Sequence, residues 1–212
     1  MAGTVKNSRR GAAPISDAAP LRPAREENMT VKDILIGAAE FCGKTELADY
    51  LSGKPCTDVG AAQREEETIL RCYNLAENEI ALDYLPIRCT EEVVSEGVVS
   101  FAALKKPPLE IFSAEDGEGN RLPFTVSGDG VRVRAGKVLL TYSYRPAVKR
   151  AQDAPEMSGK ANARLLALAT ACEYALMSGM LDAAALLDKR YRDALACACR
   201  ERGGRLKMRR WA

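Results

Sequence analysis

The sequence predicts an α+β chain, mainly helical, with a small antiparallel β-sandwich or barrel-like block at its centre. Three observations predict it. Apolar residues recur every three or four positions across residues 31–85 and again across 158–202, the period of helices buried along one face. Between them, residues 87–145 break into short runs rich in Val, Ile, Phe and Tyr, separated by Gly, Pro, Asp and Asn. A basic segment, 205–212, follows the last helix. The 212 residues suffice for one domain, here 29–204, whose core needs no metal or disulfide to close.

In chain order, residues 1–28 are rich in Ala, Pro, Gly and Arg and carry no periodicity, so they read as a disordered extension. They also read as a mis-annotated one. Arg25-Glu26-Glu27-Asn28 stands directly before Met29, and Arg-Glu-Glu can be encoded by a purine run like a ribosome-binding site, so that translation would begin at Met29. Thr30-Val31-Lys32-Asp33 opens a helix with Ile34, Leu35, Ala38 and Phe41 on one face, ended by Cys42-Gly43. Residues 44–51 form a second, short helix closed by Ser52-Gly53. A long helix, about 59–85, carries the stripe Ile69, Tyr73, Ala76, Ile80, Tyr84. Its opposite face takes Glu65, Glu66, Glu67, Arg71, Glu77 and Glu79, and Pro86 stops it.

The period then becomes two. Strand candidates are 93–94, 98–101, 109–112, 124–126, 131–134 and 138–142. The turn signals between them are Glu96-Gly97, Lys106-Pro107-Pro108, 116–120, 127–130 and Ala135-Gly136. Val131-Arg132-Val133-Arg134 alternates strictly, so one of its sides faces water. After a polar loop at 149–156, Ser158 is expected to cap a helix over 159–177, with Leu165, Leu168, Ala169, Cys172 and Leu176 inward. Asp182 is expected to cap a last helix over 183–202, with Leu186, Leu187, Tyr191, Leu195 and Ala198 inward. The short Ser178-Gly179 turn makes these two antiparallel.

Composition excludes several chemistries. Histidine is absent, which removes Ser-His-Asp and Cys-His nucleophiles and every His-containing zinc site. Seven scattered Cys argue against a disulfide framework and for a reducing compartment. Cys197 and Cys199 stand two apart, on different faces of a helix, and read as packing residues. No apolar run reaches the ~20 residues that span a bilayer, and no cofactor motif stands out. Gly43-Lys44-Thr45 lacks the upstream Gly and the preceding strand of a phosphate-binding loop; position 38 is Ala. Asp116-Gly117-Glu118-Gly119-Asn120 has the wrong chelating order for calcium and reads as a turn. The first 28 residues hold five Lys/Arg and three Asp/Glu of the chain's 31 and 29, which leaves 26 of each beyond them. A chain so near neutrality is not a general nucleic-acid binder.

The basic segment carries more. Residues 200–212 hold six Lys/Arg against one Glu, together with the single Trp. Aromatic and Arg side chains anchor interfaces. Arg205, Lys207, Arg209, Arg210 and Trp211 are therefore the candidate partner-docking residues. Disorder and phosphate-backbone contact are the other readings of such a segment.

The order of the motifs resembles a known family. Residues 74–86, Asn74-Leu75-Ala76-Glu77-Asn78-Glu79-Ile80-Ala81-Leu82-Asp83-Tyr84-Leu85-Pro86, look like the long helix entering the sheet in the head–tail connector, or adaptor, proteins of tailed bacteriophages and prophages. Glu91-Glu92-Val93, Leu109-Glu110-Ile111-Phe112 and residues 136–146 look like the central β region of that family. Glu173-Tyr174-Ala175-Leu176-Met177-Ser178-Gly179, with Asp188-Lys189-Arg190-Tyr191, resembles its C-terminal helix pair, and Arg209-Arg210-Trp211 its ending. The N-terminal extension and the first helix pair depart from the pattern. The resemblance implies a mainly helical connector fold with no enzymatic activity and no cofactor. It implies a homo-oligomeric ring, commonly of twelve subunits, under the portal protein of the capsid. Such a ring extends the DNA channel, lets DNA pass without sequence-specific binding, and offers a surface to the next neck or tail protein. The location implied is the virion neck, and the bacterial host cytoplasm during assembly. The acidic face of the long helix, set against Lys149-Arg150 and the basic segment, supplies the two complementary faces that a closed ring needs.

Three other functions compete. One is another neck protein, such as a tail terminator or tail-completion protein. A carboxylate-only enzyme would use Glu77, Glu79 and Asp83. A small DNA-binding regulator would need a basic recognition helix, but Arg190 and Arg192 are offset there by Asp188 and Asp193.

Overall fold

A computed structural model of the chain describes residues 29–200; the 1–28 extension lies outside it. Five α-helices and two small antiparallel sheets of three strands each make a mixed α+β molecule. Helix α1 (Val31–Phe41) buries Val31, Ile34, Leu35, Ala38 and Ala39, as its spacing predicts. The Asp33 carboxylate accepts from the Thr30 backbone N–H and hydroxyl, each at 2.8 Å, and so closes the first turn. Gly43, at φ +70°, ends the helix in a left-handed turn. The Lys44 N–H reaches Ala39 O at 2.9 Å and the Gly43 N–H reaches Glu40 O at 3.0 Å, a Schellman cap. Helix α2 (Thr45–Leu51) ends in the same device.

Helix α3 (Val59–Glu79) runs into a wider turn over Ile80–Tyr84, in which the Leu85 N–H bonds Ile80 O at 2.7 Å. The extra residue in that turn rotates the predicted stripe, and Tyr84 ends up exposed rather than inward. Helix α4 (Ala163–Met177) is capped by Asn162, whose Oδ1 accepts the Leu165 N–H at 2.9 Å. The expected cap, Ser158, instead closes a small turn in the preceding loop by accepting from Lys160. Helix α5 (Leu181–Cys199) begins before Asp182, so that residue lies in the first turn and is not the cap. Leu176 and Leu186, expected inward, are exposed, and α4 is buried on almost every side. The five helices share one apolar core around Leu35, Tyr73, Leu168 and Tyr174. Among the described residues no helix is long and apolar enough to cross a membrane.

The β block is two open sheets. β1 (Arg88–Ser95), β6 (Gly136–Tyr144) and β3 (Pro108–Glu115) stand in the order β1-β6-β3. β2 (Val98–Ser100), β5 (Gly130–Val133) and β4 (Phe124–Ser127) stand in the order β2-β5-β4. Val99, Val133 and Phe124 of the second sheet share an apolar cluster with Val138, Leu140 and Tyr142 of the first. Val131 and Val133 are buried while Arg132 and Arg134 are exposed, as strict alternation predicts. Of the expected turns, only 127–130 joins neighbours in one sheet; Glu96-Gly97, 116–120 and Ala135-Gly136 carry the chain between sheets. Gly130 sits where a Cβ would lie 2.6 Å from Val99 O, so this tight approach requires glycine.

Candidate functional site

The helical core and the β cluster meet across polar groups. Asn74 and Glu77 lie one turn apart on α3, facing the loop that follows β6. Asn74 brackets Lys149, accepting its N–H at 2.7 Å and donating to its carbonyl at 3.1 Å. Glu77, only 2% exposed, accepts from the Tyr73 hydroxyl at 2.7 Å and from the Glu156 N–H at 2.8 Å. The Glu156 carboxylate gathers the Tyr144 hydroxyl at 2.7 Å, the Lys149 ammonium at 3.0 Å and the Lys106 ammonium. Lys106 also stands 3.7 Å over the Tyr144 ring. The same loop caps α1, since the N–H groups of Val31 and Lys32 bond Asp153 O and Ala151 O at 2.9 and 2.8 Å. One loop thus ties the first helix, the long helix and the central strand of the larger sheet.

The two carboxyls of this seam are pushed in opposite directions. Burial raises Glu77 above the usual carboxylate range, against the lowering effect of the Tyr73 hydroxyl and the Glu156 N–H. Its Oε2 is buried with no partner among the described residues. Burial also disfavours the Glu156 anion, but bonds from Lys106, Tyr144 and Lys149 outweigh it and hold that carboxyl at about 2. A second buried carboxylate, Glu91 on β1, accepts from the Lys105 N–H at 3.1 Å and the Tyr142 hydroxyl at 3.2 Å. Each anion is consumed in holding backbone and neighbours. The arrangement can couple the two halves of the molecule.

The sequence candidates fall as follows. Glu77, expected on the solvated face of the long helix, is buried in the seam. Glu79 accepts from the Tyr191 hydroxyl at 3.5 Å, and Asp83 is exposed in the wide turn, so the three carboxylates do not converge. Lys149, expected as part of a basic contact face, is engaged with Glu156 and its side chain is only 14% exposed. Lys44 pairs with Glu65 at 3.0 Å. The loop at 116–120 is held by Asp116, which accepts the N–H groups of Glu118 and Asn120 at 2.9 Å each. Arg205, Lys207, Arg209, Arg210 and Trp211 lie outside the described residues. Among the described residues no group of three His, Cys, Asp or Glu is placed to hold a metal.

The surfaces were less legible than the elements. A groove runs between α4 and α5 beside the end of α3, with Ala169, Cys172 and Ala184 buried at its base. Leu176 and Leu181 flank it, 49% and 66% exposed. Glu79, Glu173 and Asp188 give it an acidic rim. Burial raises the Glu79 carboxyl, and its neighbours Glu173, Asp83 and Asp188 raise it further. The one arginine in the groove, Arg192, already pairs with Asp188 at 2.9 Å. On the β block, all four edge strands expose one large aliphatic residue: Val94 on β1, Val98 on β2, Leu109 on β3 and Val126 on β4. The patterned stretches 93–94 and 109–112 contain such residues, but alternation alone does not say which side lacks a covering layer.

No family model matches this chain, and no curated protein sequence matches it significantly.

Proposed function

We propose that the chain is a structural head–tail connector of a tailed phage or prophage, an adaptor that forms a ring beneath the portal and joins capsid to tail. The observation that carries this reading is the order of residue patterns along 29–212, from the long helix through the β region to the paired helices and the Arg209-Arg210-Trp211 ending. Two features of the surface support it. Exposed aliphatic residues stand on every edge strand, where a neighbouring chain could add to the sheet or pack on it. A second, chemically different surface lies at the α4–α5 corner, with Leu176, Met177, Leu181 and Leu186 exposed near an acidic rim. Head-to-tail rings use two unlike faces of this kind.

The regulator reading draws less support. Arg192 is paired with Asp188, and Arg190 stacks on Phe41 at 5.3 Å, so α5 offers few free cations to a phosphate backbone.

The test is negative-stain microscopy with mass photometry on the purified full chain, alone and mixed with the portal protein of the same genome. Rings, or co-migration with portal, are expected. A chain that stays monomeric and ignores portal would overturn the adaptor reading in favour of another neck or tail-completion protein. Removing residues 206–212 is expected to leave the fold intact and to weaken assembly; normal incorporation of the truncated chain into particles would count against a docking role for that segment.

A further inference from the structure

We infer that neighbouring copies of the chain meet through α5, the acid-rimmed corner of one copy seating on a basic groove at the far side of α5 in the next. This contact rests on the connector reading, for which it names the ring interface. The groove rimmed by Glu79, Glu173 and Asp188 is one half of the pair. A second groove lies between the start of α4 and the end of α5, where Lys160, Arg164 and Arg190 face the single carboxylate of Asp193. At about 3.6 residues per turn, Ala185, Asp188 and Arg192 lie on one side of α5, and Asp193, Ala194 and Cys197 on the other. The two grooves therefore open on opposite sides of that helix.

Charge and shape match between copies and not within one. Glu173 and Arg164 stand about 14 Å apart along α4, beyond the reach of an ion pair. Among the described residues, Lys160, Arg164 and Arg190 pair with no carboxylate, and Arg190 only stacks on Phe41. The Glu79 carboxyl is raised by burial and then by Glu173, Asp83 and Asp188, a crowding that cations of a second copy relieve. The acid corner also projects Leu176 and Leu181, 49% and 66% exposed. In the basic groove Ala194, Cys197 and Ala198 are small and none is buried, above a floor of Leu165 and Leu168. Leucine knobs rimmed by carboxylates suit a groove of small residues rimmed by cations. Because the two faces are unlike and sit on opposite sides of one helix, the contact is head-to-tail, each copy turning one face to each neighbour. The sheet edges, whose unpaired backbone groups call for a strand, are left for a different neighbour.

The test is mass photometry and sedimentation of the full chain over a range of concentrations, with portal binding followed in parallel. Self-association that weakens in high salt is expected. Glu173→Lys and Arg164→Glu are each expected to move the association midpoint about tenfold or more to higher concentration, because each sets like charges face to face. Both suit the dipole of α4, so the helical circular dichroism should hold. An equimolar mixture of the two variants is expected to assemble like the parent, since every contact between unlike copies then pairs opposite charges. Assembly unchanged by either variant, or a mixture that stays dissociated, would overturn this contact, while rings or portal binding would still support the connector reading. A mixture that stops at dimers would overturn head-to-tail pairing in favour of a two-fold contact. Loss of portal binding with self-association intact in Glu173→Lys would instead make portal the occupant of the acid corner. A parent chain that stays monomeric at every concentration would also overturn the contact, and portal co-migration would then decide the connector reading separately.

Discussion

Glu77 and Glu156 share a backbone contact yet differ in what surrounds their oxygens, and that difference is open to titration. Glu156 is held low, so its stabilising effect is fully present above its ordinary value of 4.5 and is lost as pH falls towards about 2. The stability gap between the parent and Glu156→Gln is expected to be constant near neutrality and to close across that acid window, as read from urea midpoints at each pH. Glu77 is held high by burial, so ionising it opposes folding, and the opposition grows as pH rises above the ordinary carboxylate range. Glu77→Gln should therefore gain on the parent as pH rises above the ordinary carboxylate value of 4.5. Glu77→Ala should lose about 2 kcal/mol in the same assay, because the Tyr73 hydroxyl and the Glu156 N–H would be buried without an acceptor. Nothing local marks Glu77 as buried. It stands between Ala76 and Asn78 with Glu79 beyond, and its acceptor role depends on a loop 79 residues away.

Helix ends were read from side chains that can cap, and two of them competed for α4. Ser158 and Asn162 both satisfy the preference for a short polar residue before an apolar run. Asn162 won because residues 158–161 turn in the loop, with the Ala161 N–H bonded to Ser158 O at 2.9 Å. Asn162→Ala is expected to cost about 1 kcal/mol in thermal or chemical unfolding. Ser158→Ala should be near neutral, and the reverse ranking would restore the earlier start. The glycine-terminated ends of α1, α2 and α4 were legible, since each needs a left-handed residue that few others supply. The strands were legible as elements too. Their partners were not, because a Gly- or Asp-rich turn reverses the chain without specifying which sheet receives it. Ala135-Gly136 looks like a hairpin turn and in fact delivers β6 to the centre of the other sheet.

At the scale of the molecule, two apolar cores of unequal size are joined by the polar seam rather than by continuous packing. Elements joined in this way open separately more readily than a single core does. Native-state hydrogen exchange is expected to report a lower opening free energy for Leu140 and Tyr142 of β6 than for Leu168 and Tyr174 of α4. A single shared value would instead mean that the seam locks both cores into one unit. The amino-acid sequence by itself determined the helices, the strands, their turn residues and most of the core, because burial periodicity and capping act over a few positions. It also ruled out histidine chemistry. Only the tertiary structure decided the strand order, the burial of Glu77, the recruitment of Lys149 by Glu156, and the pairing of Glu79 with the α4–α5 corner. Each of these joins residues far apart in the chain, where the outcome rests on which surfaces meet and which charges lose their water.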